Sequence, residues 1–334
     1  MKAGWGRAGS VGGSAAVFHV VLRGSRTEAL VRNQDDWQKM MQSIESMLFW
    51  CGGRVFGCRC AANCLELAIA PANVGLGQML RYVTVPFALY SNRTGGRSGR
   101  VFCPARVYRV QAAFRTEFVL WLHRPLAGAG WSADEAYLQA GSMPWVDPVP
   151  VLEELGRGPG ARRQYRVLRA RGIEPELAAA FGSPRDTLPH IHAAVRPAVA
   201  EPKGRQGDLL RRVVTSVSRQ ESVPEAELAG RSRARPLCRA RCLVTLVAVR
   251  CGVSLSLIAT RLGRDGSTLE EAVLRMRARD REGLRRAVEA SIAALHIGAS
   301  EGGERTEPQI GQEAGRSSMA GLGRDDPDPS QGDE

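Results

Sequence analysis

The stretch RCAANCLELAIA, residues 59–70, decides the fold of the first half of the chain. Every second position in its later part is apolar, as in a strand with one buried face. These apolar positions are Leu65, Leu67 and Ile69. Cys64 and Glu66 therefore share the opposite face of the predicted strand. Three interpretations of that face are open: a metal site, a catalytic pair, or the remains of one.

Strand and helix patterns are mixed on both sides of this stretch. Strands are predicted at residues 17–23, within 54–69 and at 101–110, and helices at 34–50, 76–89 and 113–123. Pro86 is expected to break the second helix, and residues 91–100 (SNRTGGRSGR) have the composition of a basic, flexible loop. Because no regular βαβ repeat is present, the sequence predicts an α+β fold. It would be an antiparallel sheet with helices on one face, followed by an all-α helix-turn-helix domain.

The composition indicates a folded protein with an anionic partner. The chain has 334 residues, 44% of them hydrophobic, and a formal net charge of +12. Only three of its 46 cationic residues are lysines. Arginine thus supplies nearly all the positive charge, and nucleic acid is the first candidate partner. A genome rich in G and C would also favour arginine codons and would give the same excess.

The same composition argues against a membrane or secreted protein. No run of about 18 apolar residues is present, so no membrane partner is predicted. The first residues, MKAGWGRAGSVGGSAAV, are too rich in glycine and serine for a signal peptide. A cytoplasmic, nucleoid-associated protein is expected, and its eight cysteines are expected to be thiols.

Changes of composition divide the chain into five predicted segments. They are a flexible N-terminus (1–16), an α+β domain (17–150), a helical extension and linker (151–206), an all-helical domain (207–297) and a disordered acidic tail (298–334). From residue 299 onwards the tail has nine acidic residues and three arginines. Such a composition disfavours a packed core.

The sharpest local pattern is GVSLSLIATRLGRDGSTLEEAVLRM, residues 252–276. Ser254 is placed to cap a short helix, and Gly263 to end it with a positive φ. Asp265 or Ser267 can cap the next helix. Two helices joined by such a tight turn predict a helix-turn-helix, whose second helix reads the major groove with its N-terminal residues.

The predicted duplex contacts fall into two groups. The helix-turn-helix contributes Arg264, Asp265, Ser267 and Thr268. The basic segment GRSRARPLCRAR, residues 230–241, contributes Arg231, Ser232, Arg233, Arg235, Arg239 and Arg241. Cations in such a segment can bind phosphates or enter a minor groove. The alternative is the solvated start of a helix.

The order of these elements resembles the C-terminal DNA-binding domain of the bacterial DnaA replication initiators. The resemblance covers about residues 208–286 and rests on RSRxRxxxxAR, an apolar helix and GVSLxxIAxxLGRDxST. It implies that Arg231, Arg233 and Arg235 enter the minor groove and that the GRDGST segment reads the major groove. Gly266 stands where the family has a histidine, so one base contact is lost. The chain has no GxxxxGK[ST], so the ATPase of an initiator is not expected.

The first half resembles the REP-associated tyrosine transposases, which are single-tyrosine HUH enzymes that nick single-stranded DNA. The resemblance runs over about residues 18–165. It rests on VFHVVLRGSRTEALVRNQDDW, RVFGCRCAANCLELAIA and LYSNRTGGRSGRVF. It implies an HUH-type antiparallel sheet, and a variant of this family carries a DnaA-like domain at its C-terminus.

Catalysis in that family needs two histidines that hold a divalent cation and a tyrosine that attacks the phosphate. Aligned with the family strand, Cys64 and Glu66 stand at the histidine positions. In LWLHRPLAGAGW, residues 120–131, Trp121 stands at the tyrosine position and Arg124 replaces a nearby asparagine. The resemblance therefore predicts a scaffold that has lost its catalytic residues and has no metal cofactor.

Other candidate metal ligands and nucleophiles carry less weight. Cys58, Cys60 and Cys64 have a spacing that is uncommon in zinc sites, so buried thiols are expected. His190 and His192 imitate the missing histidine pair but lie in the predicted linker. The five tyrosines are expected to pack or to stack on bases.

The sequence thus predicts a non-catalytic DNA-binding protein derived from a REP-associated transposase. Its partners would be duplex DNA and, through the first domain, single-stranded hairpin DNA, and a homodimer is compatible with the family. The hairpin contacts would be Arg23, Arg26, Arg97, Arg100 and Arg106. One alternative is an active transposase that uses Mg²⁺ or Mn²⁺ for DNA transposition at palindromic repeats. Another is a replication-associated, sequence-specific DNA-binding factor.

Overall fold

An antiparallel sheet organises the first half of the molecule. The computed structural model describes residues 16–61, 63–124, 130–182, 192–194 and 203–300, with the backbone alone for 192–194, 203–204 and 296–300. The strands are β1 (Val17–Arg23), β2 (Arg54–Ala61), β3 (Cys64–Ala70), β4 (Arg106–Val110), β5 (Gly130–Ser132) and β6 (His192–Ala194). Their order is β5-β2-β3-β1-β4-β6, each antiparallel to its neighbours. The predicted flexible N-terminus up to residue 15 and the predicted tail beyond residue 300 lie outside the described residues.

Helices flank the sheet and make up the second half. In the first half they are α1 (Gln34–Cys51), α2 (Leu76–Thr94), α3 (Arg115–Leu122), α4 (Glu135–Leu138), α5 (Val149–Leu155), α6 (Pro159–Arg171) and α7 (Pro175–Gly182). In the second half they are α8 (Lys203–Glu221), α9 (Glu225–Leu228), α10 (Arg235–Arg250), α11 (Leu255–Leu262), α12 (Gly266–Arg279) and α13 (Arg281–Ser300). The predicted α+β class is confirmed. Of the helices described, none combines the length and the apolar character needed to cross a bilayer.

The strand pattern of residues 59–70 is confirmed. β2 and β3 form a hairpin in which Cys60 pairs with Leu65 and Arg59 pairs with Glu66. Leu65 is fully buried, whereas Glu66 is half-buried on the other face. Because paired residues of antiparallel strands point to the same side, Arg59 shares the face of Glu66.

Helices cover both faces of this sheet, so the prediction of helices on one face is wrong. On one face, Trp131 of β5 stacks on Trp37 of α1 with ring centroids 5.6 Å apart. On the opposite face, which carries Glu66, the ring of Trp121 in α3 lies 5.6 Å from that of His19 in β1. A helix can cover the second face because the charged groups there are paired within the protein instead of with water.

Two boundaries differ from the prediction by five residues each. Pro86 does not break α2, which continues to Thr94 and includes the first part of the predicted 91–100 loop. Five residues of this helix are buried: Leu76, Met79, Leu80, Val83 and Phe87. Their burial offsets the penalty of a proline inside a helix, roughly 3 kcal/mol. The predicted strand 101–110 is a strand only in its second half, β4.

Helices α5, α6 and α7 pack on α3 and enlarge the core of the first half. Tyr165 of α6 is fully buried, and its hydroxyl lies 2.7 Å from Nδ1 of His123. Arg162 donates to the carbonyl of Tyr137 at 2.6 Å, and Arg169 donates to that of His123 at 3.2 Å. Each arginine donates to a carbonyl at the C-terminal end of α4 or α3. The last carbonyls of a helix have no N–H donor within that helix, so these arginines satisfy them.

In the second half, α10 is the central helix, and its residues 242–249 are all buried. Helices α11 and α12 have the predicted positions. Ser254 and Asp265 occupy their N-cap positions, although neither forms a side-chain capping hydrogen bond. Gly263 has a left-handed φ of 59°, the conformation that ends a helix with a glycine.

The helical half is joined to the first half through α1. The guanidinium of Arg250 donates two hydrogen bonds to the carbonyl of Phe49, at 2.9 and 3.2 Å. Glu45 accepts from Arg277 at 3.2 Å and from Arg281 at 2.6 Å. Buried apolar residues are continuous across this junction.

Candidate functional site

The sheet face beneath α3 carries a buried cluster of charged groups. Nε of Arg59 donates to Oε2 of Glu66 at 2.7 Å, and Nη2 contacts the same oxygen. Nε2 of His19 lies 3.8 Å from Oε1 of Glu66. Arg59 and His19 are buried, and 16% of the Glu66 side chain is exposed. The positive charge beside Glu66 is therefore supplied by the chain itself.

Burial and the neighbouring charges set the protonation states of this cluster. Burial acts to raise the pKa of Glu66, but the contacts with His19 and Arg59 hold that pKa below its ordinary value. Burial lowers the pKa of His19, and the contact with Glu66 offsets this only in part. At neutral pH the cluster thus contains a carboxylate, a guanidinium and a neutral imidazole.

Trp121 lies against the same cluster. Its ring centroid is 4.3 Å from the guanidinium carbon of Arg59 and 4.4 Å from that of Arg124, distances typical of cation–π contacts. Glu66 and Trp121, which align with a catalytic histidine and the catalytic tyrosine of the transposases, are therefore both in contact with Arg59. An indole has no hydroxyl to attack phosphorus, so Trp121 cannot replace the family's tyrosine.

The cluster does not fit the divalent cation that an active transposase would need. A hard cation such as Mg²⁺ binds through free carboxylate oxygens, and Arg59 holds one oxygen of Glu66. Burial raises the pKa of the Cys64 thiol to about 11, and Glu66 adds to this rise. Cys64 is therefore a neutral thiol at pH 7, and sulfur is not the oxygen ligand that a hard cation such as Mg²⁺ prefers.

The cysteines of the hairpin do not converge on one point. Cys58 and Cys60 are on the face beneath α1, whereas Cys64 is on the face beneath α3. One zinc ion could not contact all three. All eight cysteines are free, which confirms the predicted thiols. His190 lies outside the described residues, and His192 begins β6 at the edge of the sheet.

A second buried histidine is expected to make stability depend on pH. Burial, with smaller effects from Arg169 and Arg59, lowers the pKa of His123 to about 3. Its pKa in the unfolded chain is about 6.5, so below that pH the unfolded state binds a proton that the folded state excludes. The contribution of His123 to the free energy of unfolding is therefore complete above pH 6.5. It falls by up to about 1.4 kcal/mol per pH unit as the pH decreases towards 3. Urea unfolding at pH 7 and near pH 5.5 measures this loss of stability. The loss should be smaller in His123→Gln than in the wild-type protein, and equal losses in the two would contradict the prediction.

Four of the five arginines predicted to contact hairpin DNA lie together where two loops of the first half meet. They are Arg23, Arg26, Arg97 and Arg100. The fifth, Arg106, is exposed at the start of β4. Arg26 and Arg97 line a shallow, open pocket, and Arg97 is ion-paired with Glu28. Arg100 donates to a backbone carbonyl at 2.7 Å, and Arg23 is exposed at the end of β1. A guanidinium has five donors, so these contacts leave donors for an anion.

In the second half, the basic segment and the start of α12 form one surface. We call residues 229–235 the basic loop. Its exposed polar residues are Arg231, Ser232, Arg233 and Arg235. At the start of α12 the exposed residues are Asp265, Ser267 and Thr268. Nη2 of Arg264 donates to the carbonyl of Gly230 at 2.6 Å, so the two groups of predicted duplex contacts are adjacent.

Two arginines of residues 230–241 are bound within the protein. Arg241 is buried and donates to backbone carbonyls of the preceding residues, so its assignment as a phosphate contact is wrong. Those carbonyls need donors, and α10 presents Arg241 to them. Arg239 forms a 2.8 Å ion pair with Glu221 and keeps 37% of its side chain exposed. Its charge is thus partly neutralised inside the protein.

Arg59 belongs to none of the predicted sites, although it holds the cluster together. The hairpin itself carries a signal for this residue. Arg59 and Glu66 are equally far from the middle of the β2–β3 hairpin, so a tight turn places them opposite each other. Comparisons with protein-family models, with curated proteins and with solved structures find no match to this chain.

Proposed function

We propose that this chain is a DNA-binding protein that grips duplex DNA with the basic loop and the start of α12 and does not cut it. The observation that carries the proposal is the joint surface of these two segments. Arginine side chains bind phosphates and the edges of guanine. The free backbone N–H groups at the N-terminus of a helix favour phosphate oxygens.

The positions of α11 and α12 suit docking as a helix-turn-helix. The 14-residue α12 begins three residues after the left-handed Gly263. A helix presented in this way enters the major groove by its N-terminal end, while a basic arm beside it reaches the minor groove. Ser267 and Thr268 offer hydroxyls to bases or phosphates, and Asp265 can accept from the amino group of cytosine. The resemblance to DnaA domains supports the same docking.

The sheet face beneath α3 supports binding without strand cleavage. The positions that the transposase resemblance designates for catalysis hold an indole and a carboxylate that is paired with Arg59. The first half would then hold hairpin DNA through the arginines of its two loops without processing it. Transposase ancestry and a homodimer remain predictions, and association with the nucleoid would follow from DNA binding.

A change in the basic loop tests the proposal. Replacing Arg231, Arg233 and Arg235 together with glutamine should weaken duplex binding about tenfold or more. It should also reduce the slope of log K against log salt concentration by up to about 2.7, because each arginine that neutralises a phosphate contributes about 0.9. Gel-shift titrations over a range of salt would use duplexes that the wild-type chain selects from a random library.

The matched control replaces three exposed arginines elsewhere: Arg157, Arg163 and Arg171. It should leave the affinity for duplex DNA within about twofold of wild type, because these arginines belong to the first half of the chain and the basic loop to the second. An equal loss of duplex affinity in both triple variants would contradict the proposal. So would a wild-type chain that, at raised salt, does not prefer the selected duplexes over random duplex. A covalent adduct with single-stranded hairpin DNA in Mg²⁺ or Mn²⁺ would show that cleavage is retained.

A further inference from the structure

One carbonyl oxygen in the basic loop accepts hydrogen bonds from two arginines. The acceptor is the carbonyl of Gly230. Nη2 of Arg241 donates to it at 2.8 Å, and Nη2 of Arg264 donates to it at 2.6 Å. Arg241 comes from α10, behind the loop, whereas Arg264 comes from the turn that precedes α12. This carbonyl therefore links the core, the loop and the predicted recognition helix.

Arg241 holds the loop from the side of the core. Besides Gly230, its guanidinium donates to the carbonyls of Leu228 at 2.8 Å, Ser232 at 2.6 Å and Glu227 at 3.0 Å. The side chain is buried, and charge-assisted hydrogen bonds of this kind are stronger than neutral ones. Four backbone acceptors spaced over six residues define the path of the chain from α9 to α10.

Arg264 holds the loop from the side of the helix. The turn before it approaches the loop so closely that a Cβ atom added to Gly263 would lie 3.3 Å from the carbonyl oxygen of Ala229. Arg264 is half-buried, whereas its neighbours Asp265 and Ser267 are exposed. Its Nη1 also lies 3.4 Å from the carbonyl of Gly263. The guanidinium is thus turned towards the protein backbone.

We propose that Arg264 and Arg241 are positioning residues that hold the basic loop and the start of α12 as one rigid element. This inference rests on the proposed duplex binding and deepens it. The loop and the helix engage adjacent grooves of one duplex at a spacing that the two arginines set. Arg264 then acts on DNA through Gly230 and the loop arginines, and it does not select a base.

Hydrogen exchange of the free, full-length chain tests the positioning directly. Arg264→Met removes the donors and keeps most of the side-chain volume. The hydrogen-bonded amides of Gly230 and Ala234 should therefore exchange about tenfold faster or more, while those of α10 keep their rates. Arg241→Met should accelerate the same amides. The control is Arg261→Met, on the exposed side of α11 one turn earlier, which should change none of them. Unchanged exchange of the basic loop in Arg264→Met would overturn the proposal.

Binding to selected and random duplexes separates positioning from base recognition. Arg264→Met should weaken both by the same factor, about tenfold, and leave the base preference unaltered. In a chain that already lacks Arg231, Arg233 and Arg235, the same change should cost less than about twofold, because coupled residues are not additive. Loss of preference at one base position would show that Arg264 reads a base and would overturn its positioning role.

The two measurements also distinguish this inference from the proposed function. If the wild-type chain prefers no duplex, the proposed function fails. Faster amide exchange of the basic loop in Arg264→Met would still show that Arg264 holds this loop in place. If the wild-type chain binds and the effects of Arg264→Met and the loop variant are additive, the proposed function stands and the positioning role is overturned.

Discussion

Replacing Arg59 with methionine is expected to lower the free energy of unfolding by about 3–5 kcal/mol, because it leaves the buried carboxylate of Glu66 without its partner. Glu66 would lose the hydrogen bonds from Nε and Nη2. Trp121 would lose the guanidinium that lies 4.3 Å from its ring centroid. Methionine keeps a similar length and apolar volume, so the change reports mainly the lost charge. Unfolding in urea at neutral pH, followed by circular dichroism, measures it.

Two controls isolate the buried pair. Arg54 lies on the same strand, and its ion pair with Asp147 spans 3.8 Å with 43% and 31% of the side chains exposed. Arg54→Met should therefore cost less than about 1 kcal/mol. The double variant Arg59→Met/Glu66→Met should regain much of the stability that the single change loses, since no charge is left buried. Similar losses in both single variants, or no recovery in the double variant, would show that the pair does not stabilise this face.

Trp121→Ala is expected to lower the free energy of unfolding by a similar amount, about 3–5 kcal/mol. The indole is 2% exposed. Its ring centroid lies 5.9 Å from that of Phe118, 5.8 Å from that of Phe181 and 5.6 Å from that of His19. Removing it opens a cavity between α3, α7 and the sheet and admits water to the pair below. The midpoint of urea unfolding measures the loss.

Trp121→Phe is the matched control for this change. Nε1 of Trp121 is buried and has no hydrogen-bond partner among the residues that the structure describes, so phenylalanine removes an unsatisfied donor while it keeps an aromatic ring. The loss should stay below about 1.5 kcal/mol. Duplex binding by Trp121→Phe should match wild type, because the basic loop lies in the other half of the chain. A loss as large as that of Trp121→Ala would contradict a role in packing.

Local patterns are enough to predict much of the scaffold. Strand β1 has its predicted bounds, and α1 is one residue longer than predicted. The alternation in residues 59–70 and the turn at Gly263 are also where the sequence places them. These features are predictable because strand period and glycine turns depend on residues a few positions apart.

Contacts between distant residues account for the differences. Pro86 stays inside α2 because the helix buries an apolar face against its neighbours, which outweighs the local preference against proline. The second face of the sheet is covered because α3 brings Trp121 onto Arg59, 62 residues away in sequence. The resemblance designates Glu66 and Trp121 as a former catalytic site, but it does not predict that an arginine lies between them.

The sequence alone determines the α+β class, the strand within residues 59–70 and the glycine turn before α12. Only the tertiary structure decides which arginines turn inward, as Arg59 and Arg241 do, and which stay exposed, as Arg233 does. The reason is that burial of a guanidinium is costly unless the protein supplies hydrogen-bond acceptors or an opposite charge beside it. Strand register and the path of a loop decide where such acceptors lie. Neither can be predicted from the residues next to the arginine in sequence.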